Sequence, residues 1–192
     1  MTSRPRLVLA SSSPQRRAIL ETLGVEFVGC VPGVEEIAAG EPASVALENA
    51  VRKARAVVDG PAAGWGLPVL GVDTLVAVGS AIYGKPADEA TARATLRALS
   101  GRTHTVISGL ALIHAEGGLR SATVATSVRI RRLSPSLVDW YVAAGEWRGR
   151  AGGYAIQGRG IALVAGIEGD YSNVVGLPVP GLLDLWPDLL ES

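Results

Sequence analysis

The run Leu7-Val8-Leu9, between Arg6 and Ala10, is short and apolar and predicts a buried strand. After Ser11-Ser12-Ser13-Pro14, apolar Ile19, Leu20 and Leu23 recur at helical spacing. Ser13 stands where an N-cap belongs, Pro14 at the first helical residue and Gly24 just past the end. Residues 25–31 then predict a second strand, ending at Pro32-Gly33. Glu41-Pro42-Ala43-Ser44 opens a helix whose apolar stripe is Leu47, Ala50, Val51, Ala54, Val57 and Val58, with Asn49 and Lys53 sharing another face. Residues 59–67 read as a loop, and residues 69–78 as a strand too apolar to be half exposed, broken only by Asp73 and Thr74.

Gly79-Ser80 turns into a short strand at 81–83, and a helix follows from Asp88 as N-cap to Leu99, stopped by Gly101. Residues 103–115 and 119–133 flank Glu116-Gly117-Gly118, a hairpin signal. Ser134-Pro135 starts a helix to Ala144. A glycine-rich run covers 149–160, a last buried strand is expected at 161–165, a loop at 170–173 and a last helix at about 180–190. Strands and helices intermingle around a long central hairpin. That order predicts an α/β fold with a mixed, elongated sheet, helices on both faces and two lobes around a cleft. No segment is long enough to act as a linker, so residues 1–192 are expected to form a single domain.

Composition narrows the functions. The 18 Lys and Arg balance 18 Asp and Glu, which gives no long-range attraction to nucleic acid. Although 48% of residues are hydrophobic, no apolar run approaches the roughly 18 residues of a membrane span. Met1-Thr2-Ser3-Arg4-Pro5 lacks the apolar stretch of a secretory leader. Cys30 is the only cysteine, so an intrachain disulfide is excluded and a cytoplasmic setting is expected. His104, His114 and Cys30 do not have zinc-ligand spacing.

Two readings of the 11–17 stretch remain open. It is either an ordinary capped turn or an anion site, where helix N–H groups, the Ser11 and Ser13 hydroxyls and Arg16 or Arg17 meet a phosphate. Asp73, in an apolar strand, needs a cation, a metal or a cleft. Gly71 beside it marks a place where that strand could bend to the surface. Glu35 and Glu36 read as an exposed acidic loop, and Lys53, among Arg52 and Arg55, as a solvated helix face. Lys85 is framed by Gly84 and Pro86. Were Arg16, Lys53, Lys85, Glu36 and Asp73 to meet in one cleft, they would suit Mg²⁺-assisted attack on a polyphosphate.

The motifs that carry a family resemblance run in order along nearly the whole chain. They are residues 9–17, Asn49-Ala50 with Lys53-Ala54, Gly71-Val72-Asp73-Thr74, Gly84-Lys85-Pro86, residues 99–106, residues 151–158 and residues 168–178. The chain resembles the Maf family of nucleoside triphosphate pyrophosphatases, also described as septum formation inhibitors. The resemblance implies a fold similar to inosine triphosphate pyrophosphatases and metal-dependent hydrolysis of a nucleoside triphosphate to its monophosphate and pyrophosphate. It implies Asp73 as proton acceptor, with Lys53 and Lys85 completing the catalytic set. Ser11, Ser13, Arg16, Lys53 and Lys85 match phosphate binders, and Glu36 with Asp73 matches the site of Mg²⁺ or Mn²⁺. Thr74 and Gln157 look like the subgroup acting on dTTP and UTP, whose task is clearing non-standard nucleotides. The 7-methyl-GTP subgroup has an acid near the position of Gln157. Gln15 departs from both, since the first subgroup has Arg there and the second Trp, and Gly153 stands where Ala is usual. A homodimer is implied as well. Three alternatives stand beside this reading: a nucleotide-binding regulator of cell division, the same reaction on 7-methyl-GTP, and a general phosphatase that releases phosphate.

Overall fold

The computed structural model describes residues 5–191. The four residues Met1-Thr2-Ser3-Arg4, part of the stretch read as lacking a leader, lie outside it, as does Ser192. Seven strands form one mixed sheet in the order β2-β1-β3-β5-β6-β7, with β4 on the β3 edge. β1 (Leu7–Ala10) is fully buried and lies parallel to both β2 (Phe27–Cys30) and β3 (Val69–Val78). β4 (Ala81–Tyr83), β5 (Thr103–Ile113), β6 (Leu119–Ile130) and β7 (Val164–Glu168) add antiparallel pairings.

Side-chain alternation along β1 and β3 sorts the core into two layers. Leu7, Leu9, Leu70 and Val72 face one way, against Leu20 of α1 (Pro14–Thr22) and Leu182 of α6 (Val179–Leu185). Val8, Ala10 and Val69 face the other way, against Ala50, Ala54 and Val57 of α2 (Pro42–Val58). A third cluster fills the far end of the sheet. There Val76, Val106 and Val128 meet Leu96 and Leu99 of α3 (Glu89–Leu99) and Val138, Tyr141 and Val142 of α4 (Pro135–Ala143). The sheet is continuous through all three clusters, and residues from both of its ends, Ala10 at one and Val76 and Val106 at the other, line a common cavity.

α2 can approach the sheet this closely because glycines stand beneath it. A Cβ on Gly71 would come within 2.1 Å of the Ala50 carbonyl oxygen, and one on Gly109 within 2.3 Å of that of Ala46. Gly71 is therefore the seat of α2 and does not bend β3 outwards.

Four local expectations change. The second strand is shorter than residues 25–31. The last strand begins at Val164, because residues 158–162 wind into a 3-10 turn that leaves Ile161 exposed while Leu163 enters the core. Asp170 caps a helical turn, α5 (Tyr171–Val175), by accepting from the Ser172 amide at 2.7 Å and its hydroxyl at 2.6 Å, where a loop was expected. The last helix breaks at Trp186, which precedes Pro187 and leaves the helical region (φ −140°, ψ 80°), before a 3-10 turn at 187–190. Among the described residues no helix is long and apolar enough to cross a membrane.

Candidate active site

β1 stops at Ala10, opposite Gly71 of β3, and β4 begins pairing only at Val76. Residues 72–75 of β3 thus have no strand partner on that edge, and the chain leaving β1 turns through Ser11-Ser12-Ser13 into α1 beside the gap. A cavity of about 500 Å³ opens there, at the carboxyl ends of the parallel strands, where open α/β sheets place their ligands. Its wall includes Ser11, Ser13, Gln15, Arg16, Glu36, Lys53, Thr74, Lys85 and Gln157. Six separate stretches of the sequence supply them.

The charged centre is built on Lys53. Its ammonium lies 2.5 Å from Asp73 Oδ1 and 2.6 Å from Glu36 Oε1. Lys85 approaches the same Glu36 carboxylate at 3.3 Å, from a side chain that is half exposed. Burial alone would raise the Glu36 carboxyl, but hydrogen bonds and charge from Lys53 and Lys85 outweigh it and hold it below the usual range. Lys53 is therefore on the buried face of α2, not on a solvated one, and Asn49 is there with it. Asn49 donates to Asp73 Oδ2 at 3.1 Å. Asp73 itself is 3% exposed and sits one layer behind Lys53, outside the cavity wall.

The two arginines separate. Arg16 turns inwards and donates from Nε to the Gly176 carbonyl (2.8 Å), from Nη1 to Ser11 Oγ (3.0 Å) and from Nη2 to Thr74 Oγ1 (3.1 Å). Three of its five N–H groups serve the protein and two remain for a ligand. Burial pulls its guanidinium below the ordinary value, partly offset by Asp73 and Glu36. Arg17 instead lies over the Phe27 ring at 5.9 Å. Ser13 occupies the N-cap without capping: its hydroxyl donates to Gln15 Oε1 at 3.2 Å, and its amide donates to Ser11 Oγ at 3.1 Å. Thr74 shares its hydroxyl with Arg16 and with Ser108 Oγ at 2.8 Å. Gln157 is exposed and lines the same cavity.

Several residues escaped the sequence reading. Arg150 lines the cavity with its buried Nε unpaired. Asn173 reaches the Val106 carbonyl at 3.1 Å and Thr126 Oγ1 at 2.9 Å, which pins the Val174-Val175-Gly176 wall to the sheet. The hydroxyl of Tyr141 accepts from the Ala155 amide at 2.9 Å, and that of Tyr154 meets His104 Nε2 at 2.8 Å, so two buried tyrosines hold the segment leading to Gln157. Buried polar side chains close to glycine-rich segments were the available signal.

His104 also makes stability depend on pH. Burial lowers its pKa from 6.5 to about 4. Between those values the unfolded chain takes up a proton that the folded chain refuses, so stability falls as pH falls. From about pH 7 to about pH 5 this contributes a loss of roughly 2 kcal/mol. Urea unfolding of the wild type and of His104→Gln at both pH values checks it: the variant should lose less by about that amount, and parallel losses would refute the assignment.

A family model described as Maf-like protein matches residues 6–188. A dTTP/UTP pyrophosphatase of Symbiobacterium thermophilum is 49% identical over 177 residues, which cover 91% of this chain and 89% of that protein. A dTTP/UTP pyrophosphatase of Deinococcus radiodurans is 44% identical over 183 residues, covering 94% and 91%. Among solved structures, a nucleoside-triphosphatase / dITP/XTP pyrophosphatase from Mycobacterium abscessus aligns with 66% of this chain and 75% of its own. That match has 24% identity and a TM-score of 0.46.

Proposed function

The chain belongs to the Maf-like protein family, and from that premise we propose that it hydrolyses dTTP and UTP to the nucleoside monophosphate and pyrophosphate. The observation that carries the reading is Lys53, an ammonium clasped by two carboxylates in the wall of a cavity beside a serine-rich helix N-terminus. A site for passive anion binding has no use for Asp73 and Glu36.

Water attacks the α-phosphorus; the new O–P bond forms as the bond to the β-phosphoryl oxygen breaks, and pyrophosphate leaves. Asp73 accepts the proton of the attacking water. Lys53 and Lys85 turn towards the triphosphate and neutralise the charge that develops on its oxygens. Ser11, Ser13 and the amides at the start of α1 hold phosphate oxygens, with the two spare N–H groups of Arg16. Gln157 pairs with the edge of the pyrimidine, since its amide both donates and accepts, and Gln15 borders the same wall. The Thr74 hydroxyl is engaged by Arg16 and Ser108, so its influence on base choice runs through the shape of that wall.

The donor chemistry also fits Mg²⁺ or Mn²⁺. Glu36 and Asp73 are hard oxygen donors, and an ammonium already stands between them as a counter-charge. Mg²⁺ is commonly held by one or two carboxylates, with water and substrate phosphates as its other ligands. Such an ion would supply charge neutralisation on the phosphoryl oxygens.

The test is a panel of nucleoside triphosphates with Mg²⁺ or Mn²⁺, pyrophosphate and phosphate being read separately. Pyrophosphate from dTTP and UTP is the expected result. Pyrophosphate mainly from 7-methyl-GTP would overturn the pocket assignment, and phosphate alone would make this a general phosphatase. Tight binding with no turnover would favour a nucleotide-binding regulator.

A further inference from the structure

We propose that Asn49 is a positioning residue for this hydrolysis, holding Asp73 aimed and the Glu36 segment in register when Lys53 leaves them for the phosphates. The inference rests on the pyrophosphatase reading of the site.

Asp73 does not reach the cavity while Lys53 covers it, so its use as a base requires the ammonium to swing towards substrate. That movement removes the ion pair on Asp73 Oδ1 and one of the two lysine contacts of Glu36. A buried carboxylate released in this way needs another tie, or it reorients and loses its line to the water.

Asn49 is that tie. It is 1% exposed and lies outside the cavity wall, so substrate does not compete for it. Its Nδ2 donates to Asp73 Oδ2 at 3.1 Å and to the Ile37 carbonyl at 3.0 Å. Its Oδ1 accepts from the Ile37 amide at 2.8 Å. The amide orientation is forced, because a flip would set oxygen against two oxygens and NH₂ against N–H. Ile37 follows Glu36 directly, so one side chain fixes both acids, Asp73 by contact and Glu36 through its neighbour's backbone. Only a carboxamide both donates twice and accepts in this way. Aspartate keeps the acceptor and loses the donors, alanine loses all three bonds, and glutamine keeps the chemistry on a longer arm.

The experiment compares wild type, Asn49→Asp and Asn49→Gln. It measures kcat and KM for pyrophosphate release from UTP, binding of the non-hydrolysable α,β-imido-UTP by calorimetry, and thermal unfolding. Asn49→Asp should lower kcat by roughly 10²-fold, with KM and analogue affinity changed only a few fold. Asn49→Gln should recover part of the lost kcat. A wild-type kcat in Asn49→Asp would overturn the proposal. So would a joint fall of kcat, analogue affinity and melting temperature in both variants, which marks a merely structural role. Should Asn49→Asp fail to fold, Asn49→Gln decides alone: reduced kcat with retained affinity supports the role, and unchanged kcat overturns it. Wild-type turnover is the control. Its absence would sink the reaction and this inference together, whereas normal turnover with an unaffected Asn49→Asp sinks the inference alone.

Discussion

Asp73→Asn should lower kcat for pyrophosphate release from UTP by about 10³-fold, within the range lost when a positioned general base is removed. The substitution keeps the shape of the side chain and removes its negative charge. It also breaks a contact whichever way the new amide turns. With its NH₂ towards Asn49 it faces another NH₂, and with its NH₂ towards Lys53 it faces an ammonium. Lys53 keeps Glu36, so the buried cation is not left alone and the fold should survive with a lower melting temperature. Binding of α,β-imido-UTP should persist, since Lys53, Lys85 and the serine loop remain. Stopped-time pyrophosphate assays with a calorimetric titration of the same sample decide it. Turnover within tenfold of wild type would remove Asp73 from the role of base.

The course of the chain was legible where polarity alone decides structure. β1, β3 and the long hairpin are apolar runs with turns at the right places, and α2 and α3 carry capping residues where their helices begin. The site was legible as a set of motifs, but its layering was not. Lys53 read as a surface residue because a lysine on a helix is one unless something distant supplies counter-charge. Here Glu36 and Asp73 supply it from a loop and a strand that no local pattern connects to α2. Ranking apolar positions placed Leu47 on the stripe and Asn49 off it, whereas packing buries Asn49 and leaves Leu47 only partly buried. The Tyr154–His104 contact and the reach of Asn173 between β5 and β6 depend on pairings visible only once the sheet is assembled. The β7 boundary and α5 failed for a different reason. Short elements near glycines follow capping and close backbone approach more than hydrophobic period.

Gly71→Ala should be as damaging to the site as the loss of one of its side chains, although Gly71 carries none. The added methyl would lie 2.1 Å from the Ala50 carbonyl oxygen and 2.9 Å from both the amide and the Cβ of Ala54. These atoms are helix backbone and a methyl, so no flexible side chain can yield. The helix has to move by about 1 Å, a displacement on which a pre-organised site loses roughly 10² in rate. α2 is the element that brings Asn49 and Lys53 to Asp73, so the shift acts on both ties of the base at once. Overpacking of this kind destabilises by about 1–3 kcal/mol. Gly118→Ala is the control: its methyl would meet nothing within 4 Å, and no positive φ strains it. Urea unfolding and kcat on both variants should show loss of stability and rate in Gly71→Ala alone. A Gly71→Ala protein with normal stability and rate would show that the close seat of α2 on β3 does not set the geometry of the charged centre.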